Sequence, residues 1–129
     1  MSEDSDARSE TPDIAAVAAV ATEYFQSWFA GDGDRMGAVL HPALSKRTPE
    51  HPGGPGLALD EDTAESMVSD TARGPRTQYE PWQDVHVVDV AGDIATVVVR
   101  SQPFDEYLHL GRFDGRWLII NALYVRHET

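Results

Sequence analysis

Few positions in this chain carry side chains suited to chemistry, and the most conspicuous is a lysine. Lys46 is the sole lysine among 129 residues whose formal charge is -12, and it sits beside Arg47, five positions after His41. Alternation along a strand sends neighbouring side chains to opposite faces, so one of Lys46 and Arg47 points inward. An inward cation would hold a carboxylate or phosphate on a ligand, for which arginine has the better fork geometry. The other reading pairs both with nearby acids. His41 follows a short predicted helix and is either a proton shuttle near neutral pH or a histidine stabilised by the helix end. Tyr24 falls on the apolar stripe of the predicted first helix. A buried phenol needs a hydrogen-bond partner, which the core or a ligand can supply.

Other chemistries find no support. The chain has no cysteine and no His-x-x-x-His spacing, which excludes thiolate sites and leaves no metal expected. There is no Gly-rich phosphate cradle, nucleophile elbow or triad pattern, and no cofactor is expected. The net charge opposes binding to nucleic acid and to anionic membranes, and no apolar run reaches the length of a membrane span. The opening residues, MSEDSDARSETPD, have no apolar centre, so residues 1–11 are expected to be a disordered acidic tail and the protein to be cytoplasmic. Residues 12–127 suffice for a single domain.

The elements that must position these groups follow from spacing. Thr11-Pro12-Asp13 suits a helix start, Ile14, Val17, Ala21, Tyr24 and Trp28 recur at helical intervals, and Ala30-Gly31 ends the run. Asp32 opens a short second helix with Met36, Val39 and Leu40, stopped by His41-Pro42. Ala43 to Thr48 reads as an edge strand. Pro49 to Gly56 is a Gly/Pro loop of the kind that can cover a cavity. Asp60 is expected to cap a third helix burying Ala64, Met67, Val68 and Thr71. After Trp82 come strands at Asp84 to Val90 and Ile94 to Arg100, and then a hairpin from Phe104 to Val125 around Asp114-Gly115. Helices followed by strands joined mainly by tight turns define an α+β fold with an antiparallel sheet.

A type I turn closed by a Gly115 bulge would set Arg112 opposite Arg116. Leu108 and Leu110 would then share a face with Leu118, Ile120, Ala122 and Tyr124. The other face would carry Tyr107, His109, Phe113, Trp117, Ile119 and Asn121. Both are too apolar for water, so one covers the helices and the second is expected to form a homodimer interface.

His41-Pro42-Ala43-Leu44-Ser45-Lys46-Arg47, Glu106-Tyr107-Leu108-His109-Leu110 and Gly115-Arg116-Trp117-Leu118-Ile119-Ile120-Asn121 resemble the nuclear transport factor 2-like superfamily, in the subgroup labelled putative lumazine-binding. The resemblance covers Pro12 to Arg126. It implies a cone-shaped α+β fold, a curved antiparallel sheet with three helices on its concave face around a small-molecule pocket. The superfamily holds isomerases, dehydratases, cyclases and non-catalytic binders. Against ketosteroid isomerase, Tyr24 falls where that enzyme keeps its oxyanion-holding tyrosine. The base expected near Thr48 has no counterpart between Ala43 and Pro49, so steroid-type isomerisation is rejected for want of a proton acceptor. The second acid is expected near Leu108, with Asp105 and Glu106 close by.

The expected function is therefore binding of a small, partly apolar ligand, with acid–base isomerisation, dehydration or cyclisation as its enzyme form and a non-catalytic binding or dimerisation module as the rival. Tyr24 and His41 are the candidate catalytic residues. Trp28, Lys46, Arg47, Met67, Trp82, Leu108, Leu110, Ile120 and Tyr124 are the candidate ligand contacts.

Overall fold

The computed structural model describes the backbone of residues 2–49 and 56–127, with side chains from residue 12 onward. The element order is α1 (Ser2–Ala30), α2 (Gly33–Ala38), β1 (Leu40–Pro49), β2 (Leu59–Thr63), α3 (Ala64–Thr71), β3 (Gln83–Ala91), β4 (Ile94–Ser101), β5 (Phe104–Phe113) and β6 (Arg116–Arg126). Six strands form one sheet in the order β2-β1-β6-β5-β4-β3. Helices and curved sheet together make the expected α+β cone.

Four local expectations are corrected. The first helix begins at Ser2 and carries Pro12 inside it, so Thr11 does not start it. β1 is not an edge strand: it lies between β2, antiparallel, and β6, parallel, which makes the sheet mixed. Leu59–Thr63 is strand rather than helix start, because pairing with β1 satisfies its backbone although its side chains have little β propensity. Thr63 therefore caps α3 in place of Asp60, in a reciprocal capping box with Ser66. The Gly/Pro loop falls almost wholly outside the described residues.

The hairpin differs in a way that matters for the site. Asp114 and Gly115 both have positive φ, at 50° and 80°, the signature of a two-residue type I′ turn. Phe113 then pairs with Arg116 and Arg112 with Trp117, one step from the expected register. A one-residue slip exchanges the faces of a strand. Trp117 and Ile119 accordingly point inward and are buried in the core. An irregularity between His109 and Leu110 places Asn121 opposite His109 and leaves Ile120 as the extra residue on β6. Beyond it, Ala122 and Tyr124 resume the inward face. Half of the expected alternation on β6 thus holds and half is reversed.

Val17, Ala21, Tyr24, Phe25 and Trp28 of α1 pack on Val97, Val99, Leu108, Leu110 and Ile119 of the sheet. α1 closes with the amide of Asp32 donating to the Ser27 carbonyl and that of Gly31 to the Trp28 carbonyl. Gly31 has φ 74°, and a Cβ there would stand 2.3 Å from the Gly74 carbonyl carbon. The close approach pins the end of α1 to the loop after α3, where the Arg76 amide donates to the Phe29 carbonyl. That junction forms one wall of the pocket described next.

Candidate functional site

β1 resumes strict alternation after Pro42, and this decides between the two cations. Leu44 and Lys46 point into the core, while Ser45 and Arg47 point out. Lys46 is only 6% exposed. Its Nζ donates to Tyr24 Oη at 2.8 Å and stands 3.3 Å from Glu106 Oε1. Tyr24 Oη in turn donates to Glu106 Oε1 at 2.8 Å. Three residues from α1, β1 and β5 thus form a closed triangle of polar atoms inside an apolar core.

Burial first, then the negative charge and hydrogen bond of Glu106, raises the Tyr24 phenol well above its ordinary value near 10. The phenol is therefore neutral and a donor at physiological pH. The unfolded chain releases this proton near pH 10, the folded chain only well above it. The stability contributed by Tyr24 is then complete below about pH 10 and is lost as pH rises from there toward the folded value. Urea unfolding across the alkaline range should show a steeper loss for the wild type than for Tyr24→Phe. Equal slopes would contradict the buried donor.

Lys46 is also ringed by aromatics, its Nζ lying 4.6 Å from the ring centre of Tyr124, 5.3 Å from Tyr24 and 5.6 Å from Phe104. Of the triangle only Lys46 reaches the adjoining cavity of about 370 Å³, whose walls include Trp28, Met67, Tyr79, Phe104 and Tyr124. Asp62, Asp70, Arg73, Arg76 and Arg126 stand around it. Arg76 is committed to structure: it donates to the carbonyls of Thr71, Gly74 and Asp70 at the end of α3 and lies over Trp28. Arg126 donates to Tyr79 Oη and covers Phe104. Asp62 on β2 is the direct cross-strand partner of Lys46 and shares its face. Its Oδ1 accepts from Ser66 Oγ at 3.0 Å. Tyr124 is raised by burial and next by the charge of Asp62.

Trp28, Lys46, Met67, Tyr124 and Tyr24 are therefore brought together, and the other expected site residues are not. His41 lies at the opposite end of β1, its ring against Phe113 and its Nδ1 accepting from the Ala43 amide at 3.0 Å. The proton-shuttle role drops for that reason. Arg47 points away from the cavity, half exposed beside Glu61. Trp82 is exposed outside the cavity, and Leu108 and Leu110 are fully buried core. Ile120, turned outward by the irregularity in β6, lines a shallow crevice with His109 and Asn121 on the outer sheet face. Tyr107, His109 and Asn121 are on that outer face as expected, whereas Trp117 and Ile119 are not. His86 is exposed.

The site also holds residues that were not among the sequence candidates: Tyr79, Phe104, Arg76 and Arg126 in the cavity wall, with Glu106 and Asp62. Glu106 shares strand parity with Leu108 and Leu110, a signal sufficient to turn it inward. Asp62 gave no such signal, because nothing apolar alternates around it. Among the described residues no three His, Asp or Glu side chains gather as a metal set. No described helix is long and apolar enough to cross a membrane.

The sheet, the three helices and the pocket between them make a nuclear transport factor 2-like fold. The chain belongs to the family described as "putative lumazine-binding", whose profile matches residues 12–125. Among solved structures it is similar to a nuclear transport factor 2-like protein of unknown function from Silicibacter pomeroyi DSS-3, with 20% identity, 92% of this chain and 98% of that chain covered, and a TM-score of 0.77. It is similar to a protein titled putative dehydratase from Streptomyces avermitilis, with 15% identity, coverage of 92% and 99%, and a TM-score of 0.61. It also resembles a ketosteroid isomerase-like protein from Erwinia carotovora atroseptica SCRI1043, with 13% identity, coverage of 89% and 96%, and a TM-score of 0.62. At these identities the structures speak for the fold alone. No curated protein matches.

Proposed function

We propose that the pocket binds a small, partly apolar carbonyl compound and removes a proton from the carbon beside the carbonyl, the opening step of acid–base isomerisation, dehydration or cyclisation. The observation that carries this is Lys46. An ammonium has three donors, and Tyr24 and Glu106 take two, leaving one for a ligand oxygen at the pocket floor. Negative charge developing on that oxygen meets a fixed cation in desolvated surroundings, where such stabilisation is strongest. Asp62, opposite Lys46 on β2, is the carboxylate available to accept the proton. It stands on a strand that sequence patterning did not reveal, outside the stretch from Ala43 to Pro49 in which no base was found. Trp28, Tyr79, Phe104 and Tyr124 give the ligand's body an apolar side in a cavity whose remaining lining is largely charged. The family description names a small-molecule ligand, and the names of two similar proteins, "putative dehydratase" and "ketosteroid isomerase-like", refer to reactions of this class.

Benzylacetone, a small aromatic ketone, tests the reading without knowledge of the natural substrate. In heavy water benzylacetone should raise the protein's melting temperature, and the protein should accelerate hydrogen–deuterium exchange at the carbons beside the carbonyl above the buffer rate. Stabilisation without exchange favours the non-catalytic binder. The absence of both effects would overturn the carbonyl reading.

The partner expected on the outer sheet face is a second copy of the chain. Tyr107, Leu123, Val125 and Ile94 are exposed there, with no helix of the described residues over them. A single charge at the centre of such a face is costly to bury, so Leu123→Arg should shift the protein to monomer by light scattering while its melting temperature changes little. A wild type that is itself monomeric would contradict this assembly.

A further inference from the structure

We propose that Lys46 bonds covalently to its ligand, its Nζ condensing with an aldehyde or ketone carbonyl to give a protonated imine held by Glu106. The inference rests on the carbonyl reading of the pocket given above and specifies how that carbonyl is held. The surroundings of Nζ carry it. The amine opens on the cavity yet is almost wholly shielded from solvent, packed near the rings of Tyr124, Tyr24 and Phe104. The amine becomes a nucleophile once its proton has passed to Glu106, which leaves two neutral groups in apolar surroundings.

The proton inventory closes within the triangle. An ammonium must first lose a proton, and Glu106 Oε1, 3.3 Å away, takes it. The nitrogen lone pair then forms a C–N bond to the carbonyl carbon. A second proton passes from nitrogen to the former carbonyl oxygen, which the new C–N bond holds on the carbon next to Nζ and so close to the Tyr24 hydroxyl, 2.8 Å from Nζ. Glu106 returns its proton to that hydroxyl group, the C–O bond breaks and water leaves. The nitrogen keeps its third proton and is doubly bonded to carbon. Ammonium and carbonyl have become iminium and water, Glu106 is again a carboxylate, and nitrogen carries one positive charge before and after. The ion pair that the fold already accommodates therefore serves the product without burying a new charge. The iminium withdraws electrons from the neighbouring carbon more strongly than a ketone does, so Asp62 faces a more acidic C–H bond.

The chain's composition makes the test clean, since Lys46 and the α-amino group are the only primary amines present. The wild-type protein is incubated with benzylacetone and sodium cyanoborohydride, which reduces the iminium and leaves the ketone, and the adduct is mapped by peptide mass spectrometry. Lys46 should be alkylated at least about tenfold faster than the α-amino group, and unfolding in urea should abolish the preference. Because the wild type is mapped, no variant has to fold. Tyr24→Phe and Glu106→Gln should slow the labelling if they fold. An adduct confined to the α-amino group, or the same ratio in folded and unfolded protein, overturns the imine. If exchange beside the carbonyl still occurs in that case, the non-covalent reading stands. If exchange and stabilisation are absent as well, both fall.

Discussion

Glu106→Leu lowers the folding free energy by about 3–5 kcal/mol, read from urea unfolding at neutral pH. The cause is not the loss of a favourable contact alone. Leucine leaves the Lys46 ammonium without a counter-charge and the Tyr24 hydroxyl without an acceptor, both of them buried. A buried charge without a counter-charge is far worse than no charge, which makes the comparison with an apolar replacement decisive. The triple variant Tyr24→Phe, Lys46→Met, Glu106→Leu removes every member of the triangle at similar volume. It should recover most of the loss and is expected to lie within about 2 kcal/mol of the wild type. A single variant as stable as the wild type would mean that water reaches Glu106. A triple variant no better than the single one would mean that the cost is packing rather than charge.

Asp62→Asn should reduce the rate of exchange beside the benzylacetone carbonyl by about 10²–10⁴-fold, the usual contribution of a positioned general base. The amide keeps the size and the hydrogen bond from Ser66 but cannot take a proton at neutral pH. Thermal stabilisation by the ketone should persist, because recognition rests on Lys46 and the aromatic walls rather than on Asp62. Loss of turnover with retained binding is the pattern of a group that acts only in the transition state. Exchange at the wild-type rate would assign the proton transfer to another group.

How far the sequence foretold this arrangement depends on which force set each element. The stripe from Val17 to Trp28 was legible because burial of a helix face imposes its own period. Tyr24 and Lys46 were legible as chemistry but not as neighbours, since the distance between them is set by how α1 lies across β1. The choice of Lys46 over Arg47 depended on parity within β1, and the bulge between Leu40 and Ser45 made that parity unreadable from His41 onward. Trp117 and Ile119 were misplaced by a single turn residue: Asp114 takes a positive φ that most residues avoid, and the faces before the β6 irregularity exchange. Asp62 was hidden for a different reason. Leu59–Thr63 has no apolar alternation, and it is a strand only because β1 lies beside it. Pairing of that kind is a tertiary fact, absent from local pattern.

The central claim is that the one lysine of this chain is a buried, hydrogen-bonded group facing the ligand pocket, and nitrogen NMR at lysine ζ positions tests it most directly. Selective labelling gives a single ζ-nitrogen signal, because there is a single lysine. The account predicts ammonium protons protected from solvent exchange by Tyr24 and Glu106, and a shift of that signal when benzylacetone is added. A ζ-nitrogen whose protons exchange as fast as those of a free lysine, and whose signal stays in place while the ketone raises the melting temperature, would contradict it.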